Sequence, residues 1–243
     1  MKEAAPRSVA ILAYHKVGEP PVGGWDSWFY VPERVFAHQL DQLRRLGWRV
    51  IDLDLFVQGL ENPARLPERA ALITFDDGYR NTRTAALPLL ERFGYPAVLF
   101  VPTDHVGKDS DAFDAGVEPL EPLCTWDELR ELESRGVAVQ SHAASHCRLS
   151  DLDSSGAIAI DVQRSSNSLS SQLGRAPRLL AYPYGDPGAD PAVTAHILVL
   201  AGYRAACLYG GGILSLPSQL PYRVPRIAMG PETDLAGALS EAA

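Results

Sequence analysis

The stretch Leu72-Ile73-Thr74-Phe75-Asp76-Asp77-Gly78-Tyr79 runs an apolar strand directly into two adjacent carboxylates and a glycine. From Ala70 to Phe75 the residues are almost continuously apolar, the pattern of a parallel strand covered on both faces. Two acids at the carboxyl end of such a strand contribute little to packing. In parallel α/β folds, that end is where chemistry collects.

Strand and helix signals alternate on both sides of this stretch. Ser8 to Tyr14 reads as a strand ending at His15, and a Gly/Pro-rich loop carrying Trp25, Trp28, Phe29 and Tyr30 follows. Pro32 opens a helix whose apolar residues Val35, Phe36, Leu40, Leu43 and Leu46 recur at helical spacing until Gly47. Arg49 to Ile51 reads as a strand, a short helix starts near Asp54, and Thr84 to Phe93 is a helix closed by Gly94. Ala97 to Val101 is the next strand. Thr125 and Glu128 form a capping-box signature ahead of a helix, Val137 to Gln140 is a strand ending at His142, and the Ser-rich segment from about Asp153 to Leu173 is a helix. Strand Arg178 to Tyr182, helix Pro191 to Leu200 and strand Arg204 to Leu208 complete the series. The fold class is therefore α/β, a distorted (β/α) barrel of about seven strands, expected as a single domain over residues 1–243. One connection, 103–124, is unusually long and acidic, and is expected to overhang the site.

On a parallel barrel, His15, Asp76, Asp77, His142 and Tyr184 all sit at strand carboxyl ends. Carboxylate and neutral imidazole suit a divalent metal, and Asp77, His142 and His146 supply three ligands with a position left for water. The four-residue spacing of the histidines brings both to one cation if the segment makes a helical turn. Asp76 should diverge from its neighbour, since successive side chains at a strand end point apart, which leaves it as a general base. Amide hydrolysis also needs an acid for the departing nitrogen, and His15 is the best placed of the remaining histidines, ahead of His38, His105 and His196. Each motif has a plainer reading: Asp-Asp-Gly is an ordinary turn sequence, and His-x-x-x-His occurs on solvated helices. Joint placement after strands is what favours a site. Trp25, Trp28 and Tyr30 either stack on sugar rings or cover the barrel mouth.

Taken together, these motifs resemble the polysaccharide deacetylase family (carbohydrate esterase family 4, the NodB homology domain). Thr74-Phe75-Asp76-Asp77-Gly78 matches its first motif, and His142 to His146 matches the second, His-[Ser/Thr]-x-x-His, with Ala143 in the hydroxyl position. Tyr182-Pro183-Tyr184-Gly185 resembles the third. The resemblance extends from Ala13-Tyr14-His15-Lys16-Val17 to Tyr222-Arg223-Val224-Pro225-Arg226-Ile227. It implies metal-dependent removal of an N-acetyl or similar acyl group from an amino sugar or a small molecule containing one. Asp76 would be the base, Asp77, His142 and His146 the ligands of a divalent metal, with zinc first and cobalt or nickel as substitutes. The Tyr184 backbone amide would hold the oxyanion. The family's usual late motifs are missing near the carboxyl end. Tyr14-His15 at the amino end resembles instead the permuted branch containing poly-N-acetylglucosamine deacetylases, where such a histidine takes the acid role. Arg226, from the Pro-Arg-Ile of that branch, would orient Asp76 or the substrate.

Composition narrows the partners. The 243 residues carry a formal charge of −8 without a Lys/Arg cluster, which argues against nucleic acid or an anionic membrane surface. Cys124, Cys147 and Cys207 are odd in number and lack metal-finger spacing, which fits a reducing compartment. The amino end lacks the apolar core of a signal peptide, and no apolar run approaches the roughly 20 residues of a membrane span. The expectation is a cytoplasmic protein acting on a single amino sugar, a glycoside or a small acylated metabolite, with 103–124 closing the groove. The competing readings are an allantoinase-like or cyclic-imide hydrolase on the same barrel and a catalytically inactive carbohydrate-binding protein. A zincin-type protease is disfavoured by Ala143, which stands where a glutamate base would be required.

Overall fold

The structure, a computed structural model, describes residues 7–110, 113 and 116–240. Its centre is strand β1 (Arg7–Tyr14), which pairs in parallel with β5 (Arg69–Phe75) from Ser8 to Tyr14 and with β11 (Val224–Ala228) at its carboxyl end. From β5 the parallel pairing continues through β6 (Ala97–Val101), β7 (Val137–Ser141), β8 (Leu179–Ala181) and β9 (Ala205–Gly211) back to β11. These seven strands close a parallel barrel. Outside the ring, β4 (Arg49–Val50) pairs with β5, β10 (Leu214–Leu216) runs antiparallel to the start of β1, and β2 (Lys16–Val17) pairs with β3 (Tyr30–Val31).

The count of seven matches the sequence expectation, but its membership differs. Arg49–Val50 lies outside the barrel, and the closing strand is Val224–Ala228, which the sequence pattern did not mark. Pro225 hides it, because a proline inside an apolar run argues against a ladder strand. Here Pro225 falls where the register between β9 and β11 shifts, with Val224 opposite Cys207 and Arg226 opposite Gly211, so the missing N–H coincides with a bulge.

Alternation along the strands divides the core. Val9, Ile11, Leu72, Val98, Phe100, Leu179, Cys207 and Val224 point inward and fill the barrel. Phe56 and Val57 of helix α2 (Leu53–Glu61), with Leu66, pack with this interior layer. The alternate positions, among them Leu12, Tyr14, Ile73, Phe75 and Leu99, pack outward with helices α1 (Glu33–Arg45), α3 (Leu87–Phe93) and α4 (Trp126–Ser134). Leu180 and Ala206 face helices α5 (Ser155–Leu173) and α6 (Pro191–Leu200), and α7 (Leu235–Ser240) joins the α1 side. The Thr125–Glu128 capping box is formed, and Gly94 and Gly174 end their helices in left-handed conformation. Among the described residues no helix is long and apolar enough to cross a membrane.

The β7–β8 pair, which carries two of the candidate site segments, shares only one registered position, Ser141 opposite Leu180. A buried amide supplements it. Gln140 Oε1 accepts from the backbone N–H groups of Arg178 and Leu179 at 2.7 and 2.9 Å, and its Nε2 donates to Val139 O at 2.6 Å. Gln140→Leu keeps the volume and strands both N–H groups, each orphan costing about 1–3 kcal/mol. The expected outcome is a clear drop in the thermal midpoint, with Gln140→Glu retaining more stability than Leu; calorimetric melting checks it.

Candidate active site

The inward alternation that fills the barrel also builds the site. One step above the apolar layer, the inward positions are His15 after Val9 and Ile11, Asp76 after Leu72 and Thr74, His142 after Gln140, Tyr209 after Ala205 and Cys207, and Arg226 after Val224. These residues converge at the carboxyl end of the strands, where parallel barrels place chemistry. His15, Asp76, His142 and Tyr209 form the floor of a cavity of about 390 Å³ walled by Phe29, Tyr79, Tyr184 and, from the long connection, Val117 and Glu118, with Arg226 beneath that floor.

Asp76 and Asp77 diverge as expected. Asp76 meets Arg226 through two parallel hydrogen bonds, Nη1 to Oδ1 and Nη2 to Oδ2, both 2.7 Å. Arg226 has no exposed surface; its Nη1 also donates to Thr74 Oγ1 and its Nε to Leu208 O. It lies beneath Asp76, away from the cavity lining. Burial pushes the Asp76 carboxyl up, and the guanidinium charge and hydrogen bonds more than offset it, holding the group below its ordinary value.

Asp77 turns the other way because its φ of 71° is left-handed. Its Oδ1 lies 3.0 Å from His146 Nε2 and 3.1 Å from His142 Nε2. His142 is oriented by Nδ1, which donates to Ala181 O at 2.7 Å and leaves Nε2 as the acceptor. Donor atoms of Asp77, His142 and His146 lie within 4.8 Å of one another, and all three side chains are buried. These residues fit a cation on grounds of charge. Asp76 has an arginine; Asp77, 5% exposed, has three imidazoles and, among the described residues, no Lys or Arg ion pair. Burial raises Asp77, yet His146 and His142 hold it well below the usual carboxylate range, while Asp77 and Asp76 raise His142 against burial. A buried carboxylate that demands positive charge from two oriented imidazoles is a ligand set for a divalent metal.

The histidine segment departs from the expected helical turn. Residues 142–147 form an irregular loop with left-handed Ala143 (φ 57°) and His146 (φ 60°). It is held from behind: Asp161 of α5 accepts from the N–H groups of Ala144 and Ser145, Thr103 and Asp104 donate to the carbonyls of Ala143 and Ala144, and His105 Nε2 bonds Ser145 O at 3.0 Å. His105 is thus a brace for the ligand loop. His38 and His196 are exposed and far from these contacts, and Cys147 is exposed outside the ligand cluster.

His15 Nε2 lies 3.9 Å from Asp77 Oδ2, and its ring packs against Phe29 (4.6 Å) and Tyr209 (5.3 Å). Burial pushes its pKa down, with Asp77 and Asp76 pulling back only in part. Tyr184 sits at the rim with φ 56°, its ring 4.9 Å from His146. Gly185 follows at φ 69°, and a Cβ there would come within 2.8 Å of the Tyr209 backbone nitrogen, so only glycine permits this approach. Tyr209 and Phe29 are among the site residues that sequence reasoning missed as such. Among the described residues Tyr209 Oη is buried without a hydrogen-bond partner, and its hydroxyl pKa is raised by burial and then by Asp76. Extending the inward series Ala205, Cys207 by two positions would have found it. Of the aromatic loop, Trp25 and Trp28 are about half exposed and Tyr30 is buried with its hydroxyl donating to Glu121 at 2.9 Å, while Phe29 reaches the cavity.

Residues 64–206, more than half of the chain, match the polysaccharide deacetylase family, and the chain belongs to that family. It is 32% identical over 108 residues to the poly-beta-1,6-N-acetyl-D-glucosamine N-deacetylase of Escherichia coli K12, a match covering 43% of this chain and 16% of that protein. The chain spans about half or less of the length of the curated relatives it matches. In structure it resembles IcaB from Ammonifex degensii (25% identity, TM-score 0.80, 98% of each chain) and the Streptococcus pyogenes deacetylase PplD (20% identity, TM-score 0.81, 98% of this chain and 100% of that one). The barrel is the one these proteins share.

Removing one partner of the Asp76–Arg226 pair leaves a buried charge uncompensated, at about 3–5 kcal/mol. Arg226→Met is expected to lose that stability in denaturant titration, and Asp76→Asn combined with Arg226→Met to recover part of it. In Arg226→Lys, a single ammonium replaces the two-pronged clamp, the Asp76 pKa rises, and the acidic limb of the kcat/KM profile moves to higher pH.

Proposed function

We propose that the protein is a metal-dependent N-deacetylase that removes an acetyl group from an amino sugar. The observation that carries this reading is the pairing of an arginine-clamped carboxylate, Asp76, with the adjacent Asp77–His142–His146 ligand set on the floor of one aromatic-walled cavity. Zinc is the metal of choice for one carboxylate and two imidazoles, and when bound it would acidify a water to a pKa of about 7 and polarise the acetamide carbonyl.

The chain's own residues do the rest. Arg226 keeps Asp76 ionised and aimed, so that its carboxylate takes a proton from the attacking water. The backbone N–H of Tyr184, held at the rim by the left-handed Tyr184–Gly185 pair, donates to the oxyanion that develops on the carbonyl. His15 gives the proton that the departing nitrogen needs. Burial holds the His15 pKa below its ordinary value, against the pull of Asp77 and Asp76, and Asp76, which has just accepted a proton, is the source from which His15 is reprotonated. Acetate and a free amine leave.

A cavity of about 390 Å³ lies at the small end of small-molecule sites, roughly 300–1,000 Å³. With Val117 and Glu118 of the long connection in its wall, it favours one sugar unit at the reacting centre, as a monosaccharide, a glycoside or a terminal residue. Poly-N-acetylglucosamine, the substrate in the names of several relatives, is the alternative that an open groove would favour.

The test is acetate release from N-acetylglucosamine, its oligomers and nucleotide sugars, on metal-stripped protein with and without added zinc. Release that returns with metal is expected, largest for the shortest substrates. Silence across the panel with zinc demonstrably bound would overturn the reading in favour of an imide substrate or a binding role. Asp76→Asn should lower kcat by at least about 10²-fold, the scale of a positioned base. His15→Ala should fall comparably, and undiminished turnover would remove His15 from the mechanism.

A further inference from the structure

The charged residues lining the cavity are matched, with one exception. Asp76 is answered by Arg226 and Asp77 by its cation-seeking histidines. Lys16 and Glu118 meet at 3.0 Å in the wall, with side chains only 1% and 9% exposed. Arg148 remains. Elsewhere on the surface some arginines hold carboxylates, as Arg135 with Glu91 and Arg164 with Asp104, and others, such as Arg34, Arg49 and Arg92, pair with none among the described residues, so what sets Arg148 apart is its place in the cavity wall. Among the described residues Arg148 holds no carboxylate. The neighbouring acid, Asp186, feels its charge yet spends its oxygens elsewhere, Oδ2 on the N–H and hydroxyl of Ser150 at 2.9 and 2.6 Å and Oδ1 on the N–H of Gly188 at 3.0 Å.

Arg148 is nonetheless positioned. Its guanidinium carbon lies 4.4 Å from the centre of the Tyr184 ring, which in turn lies 4.9 Å from the His146 ring. A run of contacts therefore leads from the rim of the cavity to the ligand triad, the Tyr184 and His146 rings being tilted by 57°. The contact over the Tyr184 ring holds the guanidinium in place, and its N–H groups, which meet no carboxylate among the described residues, are the donors that suit a carboxylate or phosphate. In a protein of net charge −8, this puts a cation that pairs with no carboxylate among the described residues beside a metal-ligand set at the mouth of the site.

Resting on the N-deacetylase reading, we propose that Arg148 is a specificity residue that binds an oxyanion, carboxylate or phosphate, on the acetamido-bearing sugar or its immediate neighbour. The substrate class is then an anionic N-acetyl sugar, and a neutral or cationic glycan is the poorer substrate.

The experiment compares N-acetylglucosamine, N-acetylglucosamine 6-phosphate and N-acetylmuramic acid on zinc-loaded protein, by calorimetric affinity and by acetate release, in wild type, Arg148→Met and Arg148→Lys. At least one anionic sugar is expected to bind tenfold or more tightly than the neutral one, less so at high salt. That margin should vanish in Arg148→Met and partly survive in Arg148→Lys. Whether the phosphate or the carboxylate carries it identifies the anion. Turnover of all three sugars with equal affinities, or an anionic preference that persists in Arg148→Met, overturns this proposal and leaves the deacetylase reading standing. Absence of both binding and turnover for every sugar overturns the two together.

Discussion

The ion pair between Arg226 and Asp76 is the constraint around which the barrel and its site are arranged. A guanidinium with no exposed surface is expensive to desolvate, and it is tolerated here because four of its five N–H donors are answered. Two go to Asp76 at the end of β5, one to Thr74 on the same strand, and one to Leu208 O on β9. Since Arg226 itself belongs to β11, a single side chain links β11 to β5 and β9. Thr74 Oγ1, which accepts from Arg226, donates in turn to Leu12 O of β1. The polar floor of the site therefore also ties together the strands that close the barrel.

The same pair divides the labour of two adjacent aspartates. Identical side chains one residue apart acquire opposite surroundings: one is neutralised by a fixed arginine, and the other is turned by a left-handed backbone toward imidazoles that carry no permanent charge. A base must stay free to accept a proton, and a metal ligand must stay ionised against a cation. Exchange of the arginine to the other aspartate would abolish both roles. That asymmetry lies in a strand, β11, nearly 150 residues away, and cannot be read from the Asp-Asp-Gly stretch.

How much of this was legible follows from the physics of each element. Continuous apolar runs such as 70–75 and 97–101 announce buried parallel strands because both faces are covered, and the ends of those runs located His15, Asp76, Asp77 and His142. The strand Val224–Ala228 escaped because Pro225 breaks the local rule and a bulge, formed by distant pairing with β9, repairs it. The spacing of His142 and His146 suggested a helical turn, but their convergence comes from left-handed residues pinned by Asp161 and the 103–105 segment, contacts that no local pattern encodes. Tyr209 and Phe29 were readable as aromatic residues only. Their place in the site depends on strand alternation carried past a predicted end in one case and on loop packing in the other.

Backbone strain follows the chemistry. Among the described residues the four non-glycine positions with positive φ are Asp77, Ala143, His146 and Tyr184, each costing of order 1–3 kcal/mol. Two of them are candidate ligands, one lies between the ligand histidines, and one presents its amide at the rim. A chain relaxed at these positions would point Asp77 along the strand direction and open the His142–His146 loop. The barrel supplies what holds them: strand pairing through Asp76 N and Tyr14 O, the Asp161 carboxylate behind the histidine loop, and Gly185 pressed against Tyr209. The ligand set is thus preorganised at the expense of local stability, and rigid barrel strands on either side of each strained residue are what make that exchange possible.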